Sequence, residues 1–358
     1  MTGSTLADLT TLRLGGPIAE PLRLRDPGHW PELVRTVHHR GERRPLVLGH
    51  GSNVVAADAG HAGTVAALDT RGITAEEQDD GTVLATVQAG HPLADLTAWA
   101  AAERLAGIEC LAGVPGTVGA APVQNTGAYG QQLSDVLDHL TAWDWDTGLL
   151  RTLPARACRL RHRHSRFKDD PGRWTVLTVT VRLTRGPAAP VAHRPLAEEL
   201  GARPGDRPPV AEVTRAVLAD RRRRGLLLDP HGHDARQVGS VFLNPPVTAV
   251  AAARWSAAGC PVHPDGDGRL RASAGWLLEL VGCRPGHRIA DGIRCSPHRA
   301  LTLTAHDGAT ASGFTRVLAA LAARVEAAIG VVLHPEPVAV GGASPDGSPR
   351  PGAARRAH

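Results

Sequence analysis

The chain has 358 residues, so we expect more than one domain, and its hydrophobic fraction of 42% is enough to build buried cores. Its apolar runs fall short of the roughly 18–20 residues that a membrane-spanning helix needs. The first residues also lack the basic and apolar regions of a secretion signal. We therefore expect a cytoplasmic protein, without membrane insertion.

The formal net charge of +5 suits an anionic partner. However, Lys168 is the only lysine, the arginines are spread along the chain, and the one dense run, Arg221–Arg224, sits at a predicted helix end. An anionic small molecule explains this charge as well as a nucleic acid would, and we expect no nucleic-acid partner. The five cysteines are scattered, without a C-x-x-C pair, so neither a disulfide framework nor a zinc site is expected. The segment His231–Asp234 offers no third ligand at useful spacing, so we predict no metal site.

Helical and strand periodicities follow one another along the chain, as in an α/β or α+β protein. A Pro/Gly/Ala segment at 186–190 marks a boundary, and the tail rich in Gly, Pro, Ser and Arg predicts disorder over 342–358. The predicted elements are an extended stretch around 11–14, a helix from about Asp26-Pro27, strands at 45–48 and 83–89, a helix at 92–105, a half-buried strand at 175–183, helices at about 208–223 and 311–329, and a strand at 331–333.

Two glycine-rich loops are candidates for holding a cofactor. The first, formed by Gly49, His50, Gly51, Ser52 and Asn53, follows a predicted strand, and its glycines let backbone N–H groups approach a phosphate. It lacks the G-x-G-x-x-G fingerprint, and alone it is equally consistent with an ordinary tight turn. The second loop spans 113–130 and suits neither a helix nor a strand core. Its many backbone donors and acceptors suit a flavin. The candidate cofactor residues in it are Gly113, Pro115, Gly116, Thr117, Gly119, Ala120, Gln124, Asn125, Gly127, Ala128 and Tyr129.

At these residues the chain resembles the UDP-N-acetylenolpyruvoylglucosamine reductase family. The segments 107–116 and 124–130 look like the flavin loop of that family, and 10–16 and 49–53 match its other two FAD motifs in order and spacing. The resemblance runs from about residue 8 to residue 341. It implies an α+β protein with the FAD-binding fold of the vanillyl-alcohol-oxidase (PCMH) type. Two FAD-binding subdomains are then expected at 1–65 and 66–188, followed by a C-terminal α+β substrate-binding domain at 189–341.

The resemblance also implies three catalytic residues. Arg163 matches the arginine that contacts the enolpyruvyl carboxylate, Ser240 matches the serine that protonates the α-carbon, and Glu336 matches the glutamate that assists polarisation of the enol ether. An arginine fork is a natural partner for a carboxylate that becomes an enediolate. The implied reaction is ping-pong: NADPH reduces FAD and leaves, and UDP-N-acetylglucosamine enolpyruvate is then reduced to UDP-N-acetylmuramate. The expected partner is thus a nucleotide sugar, and we expect a monomer.

The chain departs from the family at positions that the resemblance assigns to the substrate. His162 and His193 stand where tyrosines are usual, and Arg224 stands where a diphosphate-binding lysine is usual; Asn244 is the fourth residue assigned to the substrate. Lysine to arginine keeps the charge but changes the geometry. With one tyrosine, one lysine and eighteen histidines in the chain, drift in a GC-rich genome explains these changes. A paralogue acting on another anionic substrate is the alternative.

Two further alternatives remain open. A covalent-flavin oxidase would need a histidine or cysteine linked to the flavin, and His50 and His91 lie in loops that could face FAD. A binding module that has lost activity is disfavoured because Arg163, Ser240 and Glu336 are all retained.

Overall fold

The computed structural model describes residues 3–191, 193–229, 231–265 and 268–342. Contacts divide the chain into two compact units. The central unit consists of residues 21–50 and 64–227, and the terminal unit consists of 3–20, 51–63 and the described residues of 228–342. The predicted disordered tail lies, from residue 343 onward, outside the described residues. The predicted domain limits at 65 and 188 stay a prediction.

The elements of the described residues mix helices and strands, as the predicted α+β class requires. The helices are α1 (Trp30–His39), α2 (Leu93–Ala102), α3 (Ala155–Cys158), α4 (Arg166–Asp169), α5 (Arg194–Glu199), α6 (Val210–Arg223), α7 (Ala249–Ala257), α8 (Ala274–Leu280) and α9 (Ala311–Ile329). The strands are β1 (Leu22–Leu24), β2 (Leu46–Leu48), β3 (Val54–Ala56), β4 (Val65–Leu68), β5 (Ile73–Glu77), β6 (Thr82–Gln88), β7 (Leu105–Ala106), β8 (Gly127–Ala128), β9 (Gln131–Gln132), β10 (Leu137–Asp144), β11 (Leu149–Pro154), β12 (Trp174–Arg185), β13 (Gln237–Ser240), β14 (Val262–Pro264), β15 (Leu270–Ala272), β16 (Arg288–Ala290), β17 (Ile293–Ser296), β18 (Arg299–Ala305) and β19 (Val338–Val340).

The central unit is built around two sheets. A parallel sheet has the order β1-β4-β2, and an antiparallel sheet has the order β11-β10-β12-β6-β5, with β7 added to β12. Strand β6 alternates half-buried and buried residues, so one of its faces packs into the core with α2. The short strands β8 and β9 form a separate hairpin. Strand β8 lies in the second glycine-rich loop and β9 directly follows it, so this loop belongs to the same unit as these sheets.

The terminal unit contains a four-stranded antiparallel sheet of order β13-β18-β17-β16. Helix α9 presents Phe314, Val317, Leu318, Leu321 and Val325 to the core of this unit, at the spacing of one helical face. Asp58 accepts hydrogen bonds from the first two backbone N–H groups of α9. Because a carboxylate at a helix N-terminus satisfies orphan donors, this contact fixes where α9 begins.

Most of the predicted elements are confirmed, and two are wrong. The helix predicted at 311–329 matches α9, and the strand predicted at 175–183 lies within β12. Residues 11–14 form a turn rather than an extended stretch, and 331–333 is not a strand. Within the described residues, no helix combines the length and hydropathy that crossing a membrane requires.

An ion pair between a buried carboxylate and a half-buried arginine links the end of β10 to the residue that precedes β12. Asp144, at the end of β10, is 2% exposed, and its two carboxylate oxygens accept from Nε and Nη2 of Arg173 at 3.0 and 2.9 Å. The hydrogen bonds from Arg173 are the largest cause that lowers the pKa of Asp144 below its ordinary value of 3.8. The pair therefore stabilises the fold fully above about pH 4 and loses this effect as pH falls through the lowered pKa.

We expect Arg173→Ala to destabilise the protein by about 2 kcal/mol at pH 7, because a buried carboxylate loses its charged donor. Below pH 4 the difference from wild type should shrink. Urea denaturation at pH 7 and at acid pH measures both effects. The matched control is Arg23→Ala, whose pair with Asp69 is solvent-exposed and should cost less than about 1 kcal/mol. Equal losses at the two sites would contradict the role given to Asp144.

Candidate functional site

In the central unit the two glycine-rich loops touch each other. A Cβ atom built on Gly49 would lie 2.3 Å from Thr117 Oγ1, so the backbone of the first loop rests directly against the second. Gly49 follows β2, and Thr117 is 2% exposed. The loops are almost seventy residues apart in the chain. Their contact brings two predicted FAD motifs together without room for a side chain.

Backbone donors collect where these loops meet. Within the described residues, the N–H groups of Gly49, His50, Gly116 and Thr117 donate no hydrogen bond. Thr117 is buried and the other three residues are half-buried, so these N–H groups are available to a ligand or to water. Clustered N–H donors are an anion-binding arrangement. The residues present therefore fit the pyrophosphate of a dinucleotide such as FAD.

The rest of the second loop is anchored to the segment that precedes α2. Val118 and Gly119 donate their N–H groups to the carbonyls of His91 and Ala89, both at 2.8 Å. A Cβ on Gly119 would lie 2.5 Å from that of Ala89, so only glycine allows this approach. The loop is thus fixed by its backbone. The remaining predicted cofactor residues in the same loop are Gly113, Pro115, Ala120, Gln124, Gly127, Ala128 and Tyr129, and their contacts with a cofactor stay predictions.

The buried side chain of Asn125 anchors the second loop through hydrogen bonds. It is 1% exposed and has a left-handed backbone with φ +47°, a conformation that asparagine tolerates better than most residues. Its amide donates to Gln132, to Ser134 and to the carbonyl of Arg161, while its Oδ1 accepts from the N–H of Ser134. The side chain of this predicted cofactor residue is therefore committed to the protein, and it ties the loop to the turn that carries Arg163.

Arg163 lies in a tight turn between Arg161 and His164, whose backbones bond to each other in both directions. Its φ of +52° is unusual for a residue other than glycine and stores strain of the kind found at functional sites. Nη2 donates to the carbonyl of Gly127 at 2.7 Å, and Nη1 donates to that of Asn125 at 3.4 Å. The guanidinium of the predicted catalytic arginine is thus aimed by the predicted flavin loop. His162, beside it, is half-buried.

In the terminal unit the second half of the first loop meets the first FAD motif. The carbonyl of Gly51 accepts from the N–H of Thr11, and a Cβ on Gly51 would lie 2.3 Å from the carbonyl oxygen of Leu9. Gly51 also has φ +57°, a left-handed conformation that glycine adopts at no steric cost. Ser52 and Asn53 complete the loop before β3.

Ser240 and Glu336 are brought onto neighbouring segments of the terminal unit. The N–H of Glu336 donates to the carbonyl of Val241 at 3.0 Å, and the N–H of Leu243 donates to that of His334 at 2.9 Å. Asn53 binds the same segment, because its Nδ2 donates to the carbonyl of Glu336 at 3.4 Å. The structure therefore joins two predicted catalytic residues, nearly a hundred positions apart in sequence.

The predicted substrate residues His193 and Arg224 lie around Tyr129 in the central unit. The phenol of Tyr129 donates to Asp220 Oδ2 at 2.7 Å, and Arg224 Nη1 donates to the same oxygen at 3.2 Å. The rings of Tyr129 and His193 meet edge to face, with centroids 5.3 Å apart. Burial is the largest cause that raises the pKa of Tyr129, to about 12, so its hydroxyl keeps its proton.

Asp220 was not identified from the sequence, because a carboxylate inside an arginine-rich helix end is most simply an intrahelical pair. Its pairing with Tyr129, ninety-one positions away, appears only in the fold. His193 Nδ1 accepts from the N–H of Leu196 and caps α5. Asn244 Oδ1 accepts from the N–H of Ala274 at the start of α8. Both of these predicted substrate residues therefore also have structural contacts.

Two histidines near the loops of the central unit, His50 and His91, favour the neutral form. Burial is the largest cause that lowers the pKa of both His50 and His91 below the ordinary value of 6.5. Lowering the pKa reduces the positive charge that the two imidazoles carry at pH 7. A covalent link from either ring stays a hypothesis.

Comparisons with known proteins agree on both parts of the chain. A family described as FAD binding domain matches residues 21–153, and one described as UDP-N-acetylenolpyruvoylglucosamine reductase, C-terminal domain, matches residues 229–340. The predicted FAD-binding fold with a C-terminal domain is thereby confirmed.

Relatives that align with nearly the whole chain share the same name. UDP-N-acetylenolpyruvoylglucosamine reductase of Thermobifida fusca is 38% identical over 94% of this chain and 96% of the relative. That of Streptomyces avermitilis is 39% identical over 94% and 93%. The crystal structure of the reductase from Thermus caldophilus superposes with a TM-score of 0.61 at 23% identity, covering 94% of this chain and 97% of that one. This last likeness concerns the fold.

We expect Gly49→Ala to weaken FAD binding by at least about 10-fold, because the new methyl group pushes Thr117 and its loop away. The backbone of Gly49 is outside the left-handed region, so the effect should be steric. Titration of apoprotein with FAD, followed by flavin fluorescence, measures it. Gly49→Ala/Thr117→Ala should recover part of the loss. Gly275→Ala, which meets only ordinary contacts, should bind FAD like wild type; an unchanged affinity in Gly49→Ala would refute the cradle.

We expect Tyr129→Phe to raise the KM for the anionic substrate several-fold with little change in kcat, because Asp220 then loses the donor that helps to fix Arg224. Steady-state kinetics and FAD titration on the same variant separate two roles. A changed FAD affinity with an unchanged KM would assign the phenol to the cofactor instead.

Proposed function

The chain belongs to the UDP-N-acetylenolpyruvoylglucosamine reductase family, and on that premise we propose that it reduces the enolpyruvyl group of UDP-N-acetylglucosamine enolpyruvate to give UDP-N-acetylmuramate. Both domain families match, and relatives of that name align along nearly the whole chain. The observation that carries the proposal is the junction at which Glu336 bonds to Val241, next to Ser240. This junction places the two candidate catalytic residues on neighbouring segments of the same unit.

The protein supplies charge and protons at fixed positions. Arg163, held by the carbonyls of Gly127 and Asn125, would bind the substrate carboxylate, where a guanidinium stabilises negative charge that develops during reduction. Ser240 would donate its hydroxyl proton to the α-carbon, and Glu336 would assist polarisation of the enol ether. These assignments are carried over from the motifs of the family.

The cofactor would lie against the backbone donors of Gly49, His50, Gly116 and Thr117. Bound FAD would supply the hydride that adds to the enolpyruvyl double bond, and NADPH is the proposed reductant. The basic end of α6, with Arg224, would receive the diphosphate of the nucleotide sugar, because a guanidinium fork matches phosphate geometry. The full-length relatives favour this function over a paralogue with another anionic substrate.

The test is a two-step anaerobic mixing experiment. FAD-loaded protein is first reduced with NADPH, the enolpyruvyl nucleotide sugar is then added, and the flavin absorbance is followed in each step. The flavin of the wild-type protein should be bleached by NADPH and then reoxidised by the nucleotide sugar. In Ser240→Ala the first step should be nearly normal, while the second should slow by roughly 10²–10⁴-fold, the cost of losing one placed proton donor.

Reduced wild-type protein that the nucleotide sugar fails to reoxidise would exclude the proposed substrate. If the Ser240→Ala variant is reoxidised at the wild-type rate, the proposed substrate still stands, but the acid must be another residue. Thr302→Val, on the strand that pairs with Ser240, serves as the matched control for loss of a hydroxyl in the same sheet.

A further inference from the structure

An arginine that no motif indicated contacts the hydroxyl of Ser240. Ser240 is the last residue of β13, and it pairs with Thr302 of β18, whose first residue is Arg299. Arg299 Nη2 donates to Ser240 Oγ at 3.3 Å. Both residues are half-buried, so the bond lies at the edge of the sheet rather than in bulk solvent. A charged donor is thus aimed at the oxygen that the proposed reaction uses.

The bond from Arg299 determines the direction in which the hydroxyl of Ser240 can donate its proton. A guanidinium has only donors, so Ser240 Oγ must be the acceptor and its own proton must point elsewhere. Within the described residues, Ser240 Oγ has no other hydrogen-bond partner. The hydroxyl proton is therefore directed away from Arg299 and is not taken up by the fold. A serine held in this way is ready to donate.

The backbone around Ser240 is fixed independently of this contact. Gly239 precedes it with φ +75°, and the register of β13 against β18 shifts between Gln237 and Ser240, as at a bulge. The next residue, Val241, donates to Leu301 and accepts from Glu336. Since the main chain is anchored by these bonds, the contact with Arg299 acts mainly on the side chain.

We propose that Arg299 is a positioning residue for the proton transfer from Ser240. This inference rests on the proposed function. In the step concerned, hydride addition to the β-carbon has left an electron pair on the α-carbon; the O–H bond of Ser240 breaks, that pair takes the proton to form the C–H bond, and the alkoxide left on Ser240 regains a proton from water.

Arg299 stabilises that alkoxide. Arginine stays protonated throughout in proteins, so it supplies charge and a hydrogen bond rather than the proton. Hydrogen bonds to an ionised oxygen are roughly twice as strong as neutral ones, and the contact therefore strengthens as the proton leaves. Glu336 lies on the segment bonded to Val241, and a carboxylate there would disfavour a second negative charge. Arg299 offsets this effect.

The test compares Arg299→Ala, Arg299→Lys and the exposed neighbour Arg294→Ala in the same two-step mixing experiment. We expect Arg299→Ala to slow reoxidation by the nucleotide sugar by about 10²-fold, the typical cost of one oxyanion donor. Flavin reduction by NADPH should be unchanged. The affinity of the oxidised protein for the nucleotide sugar, measured by calorimetry, should stay within about 2-fold. Arg299→Lys should recover part of the rate, and Arg294→Ala should match wild type.

A double-mutant cycle separates positioning from a merely structural role. If Arg299 acts through Ser240, adding Arg299→Ala to Ser240→Ala should slow reoxidation no further. A full additional loss in the double variant, or normal reoxidation in Arg299→Ala, would overturn the proposal. If Arg299→Ala fails to fold, the same cycle is run with Arg299→Lys. Wild-type protein that the nucleotide sugar does not reoxidise refutes the proposed function itself, and is thus distinguishable from failure of this inference.

Discussion

The missing side chain of Gly49 allows its loop to lie against Thr117, and the proposed cofactor cradle of the central unit depends on that approach. A methyl group at this point would separate the loops and, with them, the N–H groups of residues 49–50 and 116–117. Within the described residues these N–H groups donate no hydrogen bond, and they can therefore donate to a ligand or to water. Asn125 then transmits the position of the second loop to the turn of Arg163. One close contact thus places both the cradle and the candidate carboxylate-binding arginine.

In the terminal unit, backbone hydrogen bonds position the candidate catalytic residues. The strand-like contact between residues 241–243 and 334–336 holds Ser240 beside the Glu336 segment, and Asn53 joins that segment to the first glycine-rich loop. These anchors are made by the main chain of the two segments. A site made this way tolerates sequence change around it, provided that the bonding partners stay in register.

The sequence predicted the long periodic elements well and the tertiary contacts poorly. Helix α9 carries its own signal, an apolar face at helical spacing. The extended stretch predicted around Thr11 is instead a turn, in which the N–H of Arg13 donates to the carbonyl of Thr10 and Arg13 has φ +53°. Thr11 Oγ1 also donates to the carbonyl of Gln237, more than two hundred positions away. Leu333 looked like part of a strand because it is apolar, but it is buried in the core. The strand forms further on, where Val338 pairs with Val54.

For the candidate site too, the sequence indicated residues that belong to local motifs but not residues that depend on tertiary contacts. The motifs indicated Arg163, Ser240 and Glu336, since each belongs to a recognisable local pattern. Arg299 and Asp220 have no such pattern, and an arginine or an aspartate in a charged stretch is most simply a solvated residue. Their roles depend on which side chain the fold brings opposite them. Such a residue can be found only when the partner's position is known.

The arginine at position 224 gains a physical rationale from its surroundings. Nη1 of Arg224 donates a hydrogen bond to Asp220, whose carboxylate also accepts hydrogen bonds from Tyr129 and from Arg223. Its remaining guanidinium donors have no partner among the described residues. A planar fork can hold Asp220 with one edge and a phosphate with another, whereas a lysine ammonium is a single point of charge. With Asp220 already bonded to a phenol, an arginine can keep this anchor and still bind an anion. The change from lysine is therefore compatible with a diphosphate ligand, and it requires no change of substrate.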